Sequence, residues 1–167
     1  LKPGNGFAGQ FFDGGDIACI IGGGDRIGMA FPPRAARAAN AVDVIFRMEG
    51  HIEIEHMRQA ADIDAARDDG RVGIMLGFQN GSPFEDRLEL VADFHARGVR
   101  VAQLTYNARN LIGGACYDAV DEGLTPFGGD VIAEMNRVGM LVDLSHVGDR
   151  TCLEAVAAST QPAAITH

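Results

Sequence analysis

Two apolar runs in this chain each end in a histidine. Gly139-Met140-Leu141-Val142-Asp143-Leu144-Ser145 leads into His146, and twenty-one residues later Ala163-Ala164-Ile165-Thr166 leads into His167. Short, nearly continuous apolar runs of this kind read as buried parallel strands. Neighbouring parallel strands lie about 4.8 Å apart, so imidazoles at their carboxyl ends can converge on one ion. Neutral imidazole is a natural zinc ligand, and a zinc-held water becomes a nucleophile near neutral pH. Metal-dependent hydrolysis is therefore the leading chemistry.

Other chemistry-bearing residues weigh less. His51-Ile52-Glu53-Ile54-Glu55-His56 looks rich in ligands, but it is not HExxH. Its histidines are five apart and do not share a helix face, so it reads as a solvated charged face. His95 falls on the apolar row of a helix and reads as packed or partly solvated. Gly22-Gly23-Gly24-Asp25-Arg26-Ile27-Gly28 fails the GxGxxG spacing and has no GK[ST] ending, which leaves a flexible connection after a strand. Cys19, Cys116 and Cys152 are odd in number and widely spaced, fitting neither a disulfide framework nor a zinc knuckle, so they read as packed thiols. Asp143 lies inside an apolar strand, where a carboxylate is costly unless paired. It is expected to orient a neighbouring ligand or to bond the barrel backbone.

The elements that must position these residues alternate. Val72–Phe78, Val99–Leu104, Met140–Leu144 and Ala163–Ile165 read as strands, with Phe7–Phe12 a weaker fifth. Between them, Ser82-Pro83-Phe84-Glu85 has the form of a capping box opening a helix with Leu88, Val91 and His95 on one row and Gly98 as its stop. Thr125-Pro126 opens a second helix with Val131, Met135 and Val138 on one face, closed by Gly139. Further helices are expected over Asp149–Ser159, over Asp62–Asp68, and after Pro32-Pro33, where Ala41, Ile45, Met48 and Ile52 share a face. Strict alternation means a parallel sheet, either doubly wound or part of a barrel. Polar residues just past several strand ends (Gln79, Thr105-Tyr106-Asn107, His146, His167) favour the barrel, which builds its site there.

A complete (β/α)₈ barrel usually needs about 250 residues, and this chain has 167. It is expected to be an internal fragment, with residues 1–167 forming one incomplete barrel of approximately strands two to six. The first strand and the last two would be missing, and open sheet edges would make the isolated piece poorly soluble or oligomeric, a homodimer included. The net charge of -9 provides no basic footprint for nucleic acid or an anionic membrane. No apolar stretch approaches the length of a spanning helix, and localisation is only weakly bounded, with the cytoplasm favoured.

Leu104-Thr105-Tyr106-Asn107-x-x-Asn110, Gly123-Leu124-Thr125-Pro126-Phe127-Gly128 and Glu134-Met135-Asn136-Arg137-x-Gly139-Met140-x-x-Asp143-Leu144-Ser145-His146 resemble the membrane (renal) dipeptidases. Gly9-Gln10-Phe11-Phe12 and Asp62-Ile63-Asp64-Ala65-Ala66 are similar to the family as well. The resemblance implies an amidohydrolase-like barrel that hydrolyses dipeptides with a zinc-activated hydroxide, one or two zinc ions as cofactor, and a small peptide as substrate. It places His146 and His167 on the two histidines that bind one zinc of the family's pair. A lone histidine after an apolar run is usually a core or loop residue, but two on successive strands within a family motif reverse that expectation. Tyr106 falls where some relatives carry a histidine that contacts the substrate. Its phenol could hydrogen-bond a developing oxyanion, or it could be a half-buried packing residue. Asn107 and Asn110 are expected to shape the following loop.

The family's HxD pair belongs to a first strand that this segment lacks, and its acid/base aspartate and substrate-binding arginine belong to later strands. No catalytic residue is assigned within the segment. Where the family has a glutamate bridging both metals, this sequence has Gln79. A neutral amide does not hold two dications close together, so one metal would be bound well and the second weakly. Two other readings stand beside active dipeptidase: a catalytically impaired relative that binds a metal or other ligand, and a doubly wound nucleotide-binding domain with incidental histidines.

Overall fold

The computed structural model describes residues 7–11, 18–22, 54–69 and 72–167. Strands β1 (Phe7–Phe11) and β2 (Ala18–Gly22) form an antiparallel hairpin, and β2 pairs antiparallel with β4 (Val72–Phe78). Strands β3 (Ile54–His56), β4, β5 (Val99–Gln103) and β6 (Leu141–Asp143) then form a parallel array, each paired with the next. Ala164 extends it through a parallel bridge to Asp143, a single rung where a strand over Ala163–Ile165 was expected. The strand expected at Phe7–Phe12 is present but does not join the parallel array. Only Phe12–Ile17 separate β1 from β2, and a parallel pairing needs a crossover of a dozen residues or more.

The helices supply the crossovers: α1 (Ala60–Asp68), α2 (Glu89–Ala96), α3 (Pro126–Val138) and α4 (Asp149–Ala158). The best-marked of them in sequence behaves as its residues require. Thr125 Oγ1 accepts the Gly128 N–H at 2.9 Å, Pro126 takes the first position, and Gly139 closes the helix at φ 82°. By contrast, Ser82-Pro83-Phe84 does not open α2. It makes one 3₁₀ turn, Glu85 follows with φ 53°, and α2 begins at Glu89. The Ser82 hydroxyl points back to Asn80 Oδ1, at 2.9 Å, instead of capping a helix. The helical segment expected after Pro32-Pro33 and most of the Gly22–Gly28 stretch lie outside the described residues.

One core lies between the helices and one sheet face. Phe78 of β4 meets Phe94 of α2 edge to face, with centroids 4.8 Å apart, and meets Phe84 at 5.8 Å. Ala102, Val142, Val131, Ile132 and Met135 complete its centre. Phe78, Ala102 and Val142 share one rung of the sheet. Side chains alternate along strands, so the next rung faces the other way. Gln103 and Asp143 form it, Gln79 comes directly after the last residue of β4, and all three are buried. The sheet thus carries an apolar face toward the helices and a buried polar rung at the carboxyl ends of its strands.

The connection from Leu104 to Thr125 is long and is tied down by carboxylates. Asp118 accepts the Arg109 and Ala115 N–H groups. Asp121 accepts the Thr151 hydroxyl at 2.6 Å and the N–H groups of Thr151 and Gly123 at 2.9 Å. Desolvation, the largest single influence on Asp121, raises its pKa. The bonds from Thr151, Gly123 and Arg150 together outweigh it and hold the carboxyl below its ordinary value. A carboxyl lowered on folding contributes stability above its unfolded pKa of about 3.9, and the contribution is lost as pH falls through the lower folded value. The urea midpoint of the parent is therefore expected to exceed that of Asp121→Asn at about pH 7, with the gap closing toward about pH 2. A gap independent of pH would contradict this.

Candidate metal centre

Three loops follow the strand ends of the polar rung and build one cluster. After β6, Ser145 and His146 make a turn in which His146 has φ 59°, a left-handed conformation that turns its ring back over the sheet end. Asn107, after β5, is also left-handed, at φ 60°, and its Oδ1 lies 2.8 Å from His146 Nδ1. Contact with an amide oxygen requires Nδ1 to carry the proton, which puts the His146 lone pair on Nε2. Tyr106 lies against the same ring, with centroids 4.6 Å apart and planes tilted by 39°. The long connection grips the turn from behind: Cys116 N–H donates to the His146 carbonyl at 2.9 Å, and Thr105 Oγ1 donates to the Gly114 carbonyl at 3.2 Å.

His167 completes the pair. Its ring centroid lies 5.1 Å from that of His146, with planes at 46°. A zinc ion sits about 2.1 Å from an imidazole nitrogen, hence about 3.2 Å from the ring centroid, so two imidazoles on one tetrahedral ion have centroids about 5 Å apart. The observed spacing fits two ligands of a common metal. Burial lowers the His146 pKa first, the neighbouring His167 lowers it further, and Asp143 opposes them. The ring is thus held neutral near pH 7, the form that ligates. Among the described residues, no group of three or more His, Cys, Asp or Glu could hold a metal.

Beneath the histidines, Asp143 is the hub expected of a buried carboxylate. It accepts the Ser145 N–H and hydroxyl on Oδ1, and the Thr166 hydroxyl on Oδ2 at 2.6 Å. Gln79 is 5% exposed and sits at the same sheet end, on the β4 side. Its neighbour Asn80 accepts Asn110 Nδ2 at 2.8 Å, which ties the β4 and β5 loops together and gives Asn110 the shaping role expected of it. Gly81 is required there, because a Cβ would lie 2.2 Å from the Ile112 side chain and 2.8 Å from the Leu104 carbonyl.

Three sequence readings change. Cys116 is exposed, not packed, with Sγ 3.9 Å from His146 Nδ1, because the connection carries it back to the histidine turn. Cys152 is partly buried, and its thiol pKa is raised by desolvation, then by Asp149. His56 is not on a solvated face but is buried in β3 beside β4. Asn107 does more than shape a loop. Asparagine's tolerance of left-handed backbone and its amide acceptor were the available signals. His95 is partly buried as expected, with its pKa lowered by desolvation and then by Arg100.

Residues 33–167 match the family described as membrane dipeptidase (peptidase family M19). The chain belongs to that family. An uncharacterized dipeptidase of Schizosaccharomyces pombe is 35% identical over 109 residues, covering 63% of this chain and 26% of the relative. The chain thus spans about a quarter of the length of that curated relative. An amidohydrolase from Pseudomonas aeruginosa superposes with a TM-score of 0.72 at 39% identity, over 75% of this chain and 39% of that one. A metallo peptidase from Rhodobacter sphaeroides, liganded with a phosphinate mimic of L-Ala-D-Ala, superposes with a TM-score of 0.72 at 22% identity, over 83% and 44%. These neighbours give the parallel array its identity as part of a (β/α)₈ barrel of the amidohydrolase type, not a doubly wound sheet. Membership of a metallopeptidase family implies a metal cofactor. No helix among the described residues is long and apolar enough to cross a membrane.

Proposed function

We propose that the protein hydrolyses dipeptides with zinc held in part by His146 and His167. The observation that carries this reading is the 5.1 Å spacing of the two rings at neighbouring strand ends. It is supported by family membership and by the dipeptide mimic bound to the Rhodobacter sphaeroides neighbour. When bound, zinc supplies a Lewis acid for the scissile carbonyl and lowers the pKa of water enough for attack near pH 7. The chain's own residues hold and orient. Asn107 fixes the His146 ring, Asp143 braces the turn beneath it, and the Tyr106 phenol, beside the His146 ring, donates a hydrogen bond to the carbonyl oxygen as negative charge builds there. Zinc titration combined with a dipeptide hydrolysis assay tests the reading. Zinc-dependent turnover supports it, and zinc binding without turnover favours the impaired, ligand-binding relative.

That second reading rests on Gln79, a buried neutral amide in this family's anionic bridging position. We expect Gln79→Glu to raise zinc stoichiometry and turnover, because a carboxylate offsets the repulsion between two dications. The same substitution buries an unpaired carboxylate when metal is absent, which costs several kcal/mol unless the group takes up a proton. The metal-free variant should therefore melt below the parent, and zinc should raise its melting temperature more. Unchanged stoichiometry and rate would count against Gln79 as a metal-site position.

A further inference from the structure

We propose that Asp143 is a positioning residue: through the Thr166 hydroxyl it dictates which nitrogen of His167 carries the proton, and so which one meets the metal. The inference rests on the reading of His167 as a ligand for its consequence, though not for the tautomer itself. Each hydroxyl has one proton to give, and a carboxylate only accepts. Ser145 Oγ lies 2.7 Å from Asp143 Oδ1, and Thr166 Oγ1 lies 2.6 Å from Oδ2, whereas the two hydroxyls are 3.5 Å from each other. Both protons therefore point at Asp143, in the stronger charge-assisted bonds. The Ser145 lone pairs receive the N–H groups of Thr166 and His167, at 3.0 and 3.2 Å. Thr166 Oγ1 has only lone pairs left for His167 Nδ1, which is 3.1 Å away. Nδ1 must then be the donor, and the His167 lone pair is placed on Nε2. Asn107 imposes the same tautomer on His146 by a different device. The two histidines present the same nitrogen, one set by an amide and the other by a carboxylate acting through a hydroxyl.

The test is long-range proton–nitrogen NMR on the metal-free protein labelled with nitrogen-15 at histidine. This reads the protonation of each ring nitrogen without metal or activity. In the parent, His167 is expected to carry its proton on Nδ1. In Thr166→Val it should move toward the Nε2–H form that a free imidazole prefers. Zinc affinity, measured by competition with a chromogenic chelator, should fall about 10–100-fold, the usual effect of removing a partner of a ligand. Thr166→Ser, which keeps the hydroxyl, should restore both. An Nε2–H tautomer in the parent would overturn the proposal without recourse to any variant. So would an unchanged tautomer in a Thr166→Val protein whose amide spectrum shows it folded. Parent-like zinc affinity in His167→Ala would instead overturn the ligand reading, a result separable from the tautomer measurement.

Discussion

His167→Ala and His146→Asn are each expected to abolish tight zinc binding and, with it, zinc-dependent dipeptide hydrolysis. The loss should exceed the roughly 10–100-fold that follows removal of a ligand's hydrogen-bond partner, since here the ligand itself is removed. Asparagine is the better replacement at position 146 because the backbone there is left-handed, at φ 59°, where alanine would add strain unrelated to the metal. His167 is exposed, so its truncation should leave the urea midpoint nearly unchanged, within the roughly 0.5 kcal/mol usual for surface positions. Metal content after dialysis, turnover and urea midpoint form the measurement. Full zinc retention by either folded variant would show that the paired rings do not hold the ion.

Phe84→Ala is expected to cost about 3–5 kcal/mol of stability, the range for deleting a fully buried aromatic ring. Phe84 has no exposed surface and lies against Phe78 and Phe94, so its loss opens a cavity where β4, α2 and the 3₁₀ turn meet. That is a large share of the roughly 5–15 kcal/mol that stabilises an ordinary domain. Leu153→Ala is the control: its side chain is 73% exposed on α4, and its removal should change the midpoint little. Chemical unfolding of both variants checks the pair. A Phe84→Ala loss near 1 kcal/mol would mean that the aromatic cluster collapses around the gap.

Much of the fold was legible in the chain because its signals are local. The run Val72–Phe78 is a strand end to end. Thr125, Pro126 and Gly139 bound α3, since a cap, a fixed φ and a left-handed stop all act within a few residues of themselves. Strand alternation with helices was enough to place His146 and His167 at the same sheet end. Where a local signal misled, a competing contact was the cause. Ser82 has the spacing of a capping box, but Asn80 takes its hydroxyl and Glu85 turns left-handed, so the helix starts at Glu89. His56 lies in a charged stretch, yet pairing beside β4 buries it.

The site's detail belongs to the tertiary structure. Asn107 and His146 are 39 residues apart, Asp143 and Thr166 are 23 apart, and Thr151 meets Asp121 across 30. No periodicity reports such pairs. They form only when strand register and the long Leu104–Thr125 connection bring the loops together. By itself, the sequence determined the parallel architecture and the family, because burial patterns, caps and motifs are properties of short segments. Only the folded chain decided which partner holds each imidazole, where Cys116 lies and how Asp143 is satisfied, because hydrogen-bond geometry depends on distances that separate segments acquire by packing.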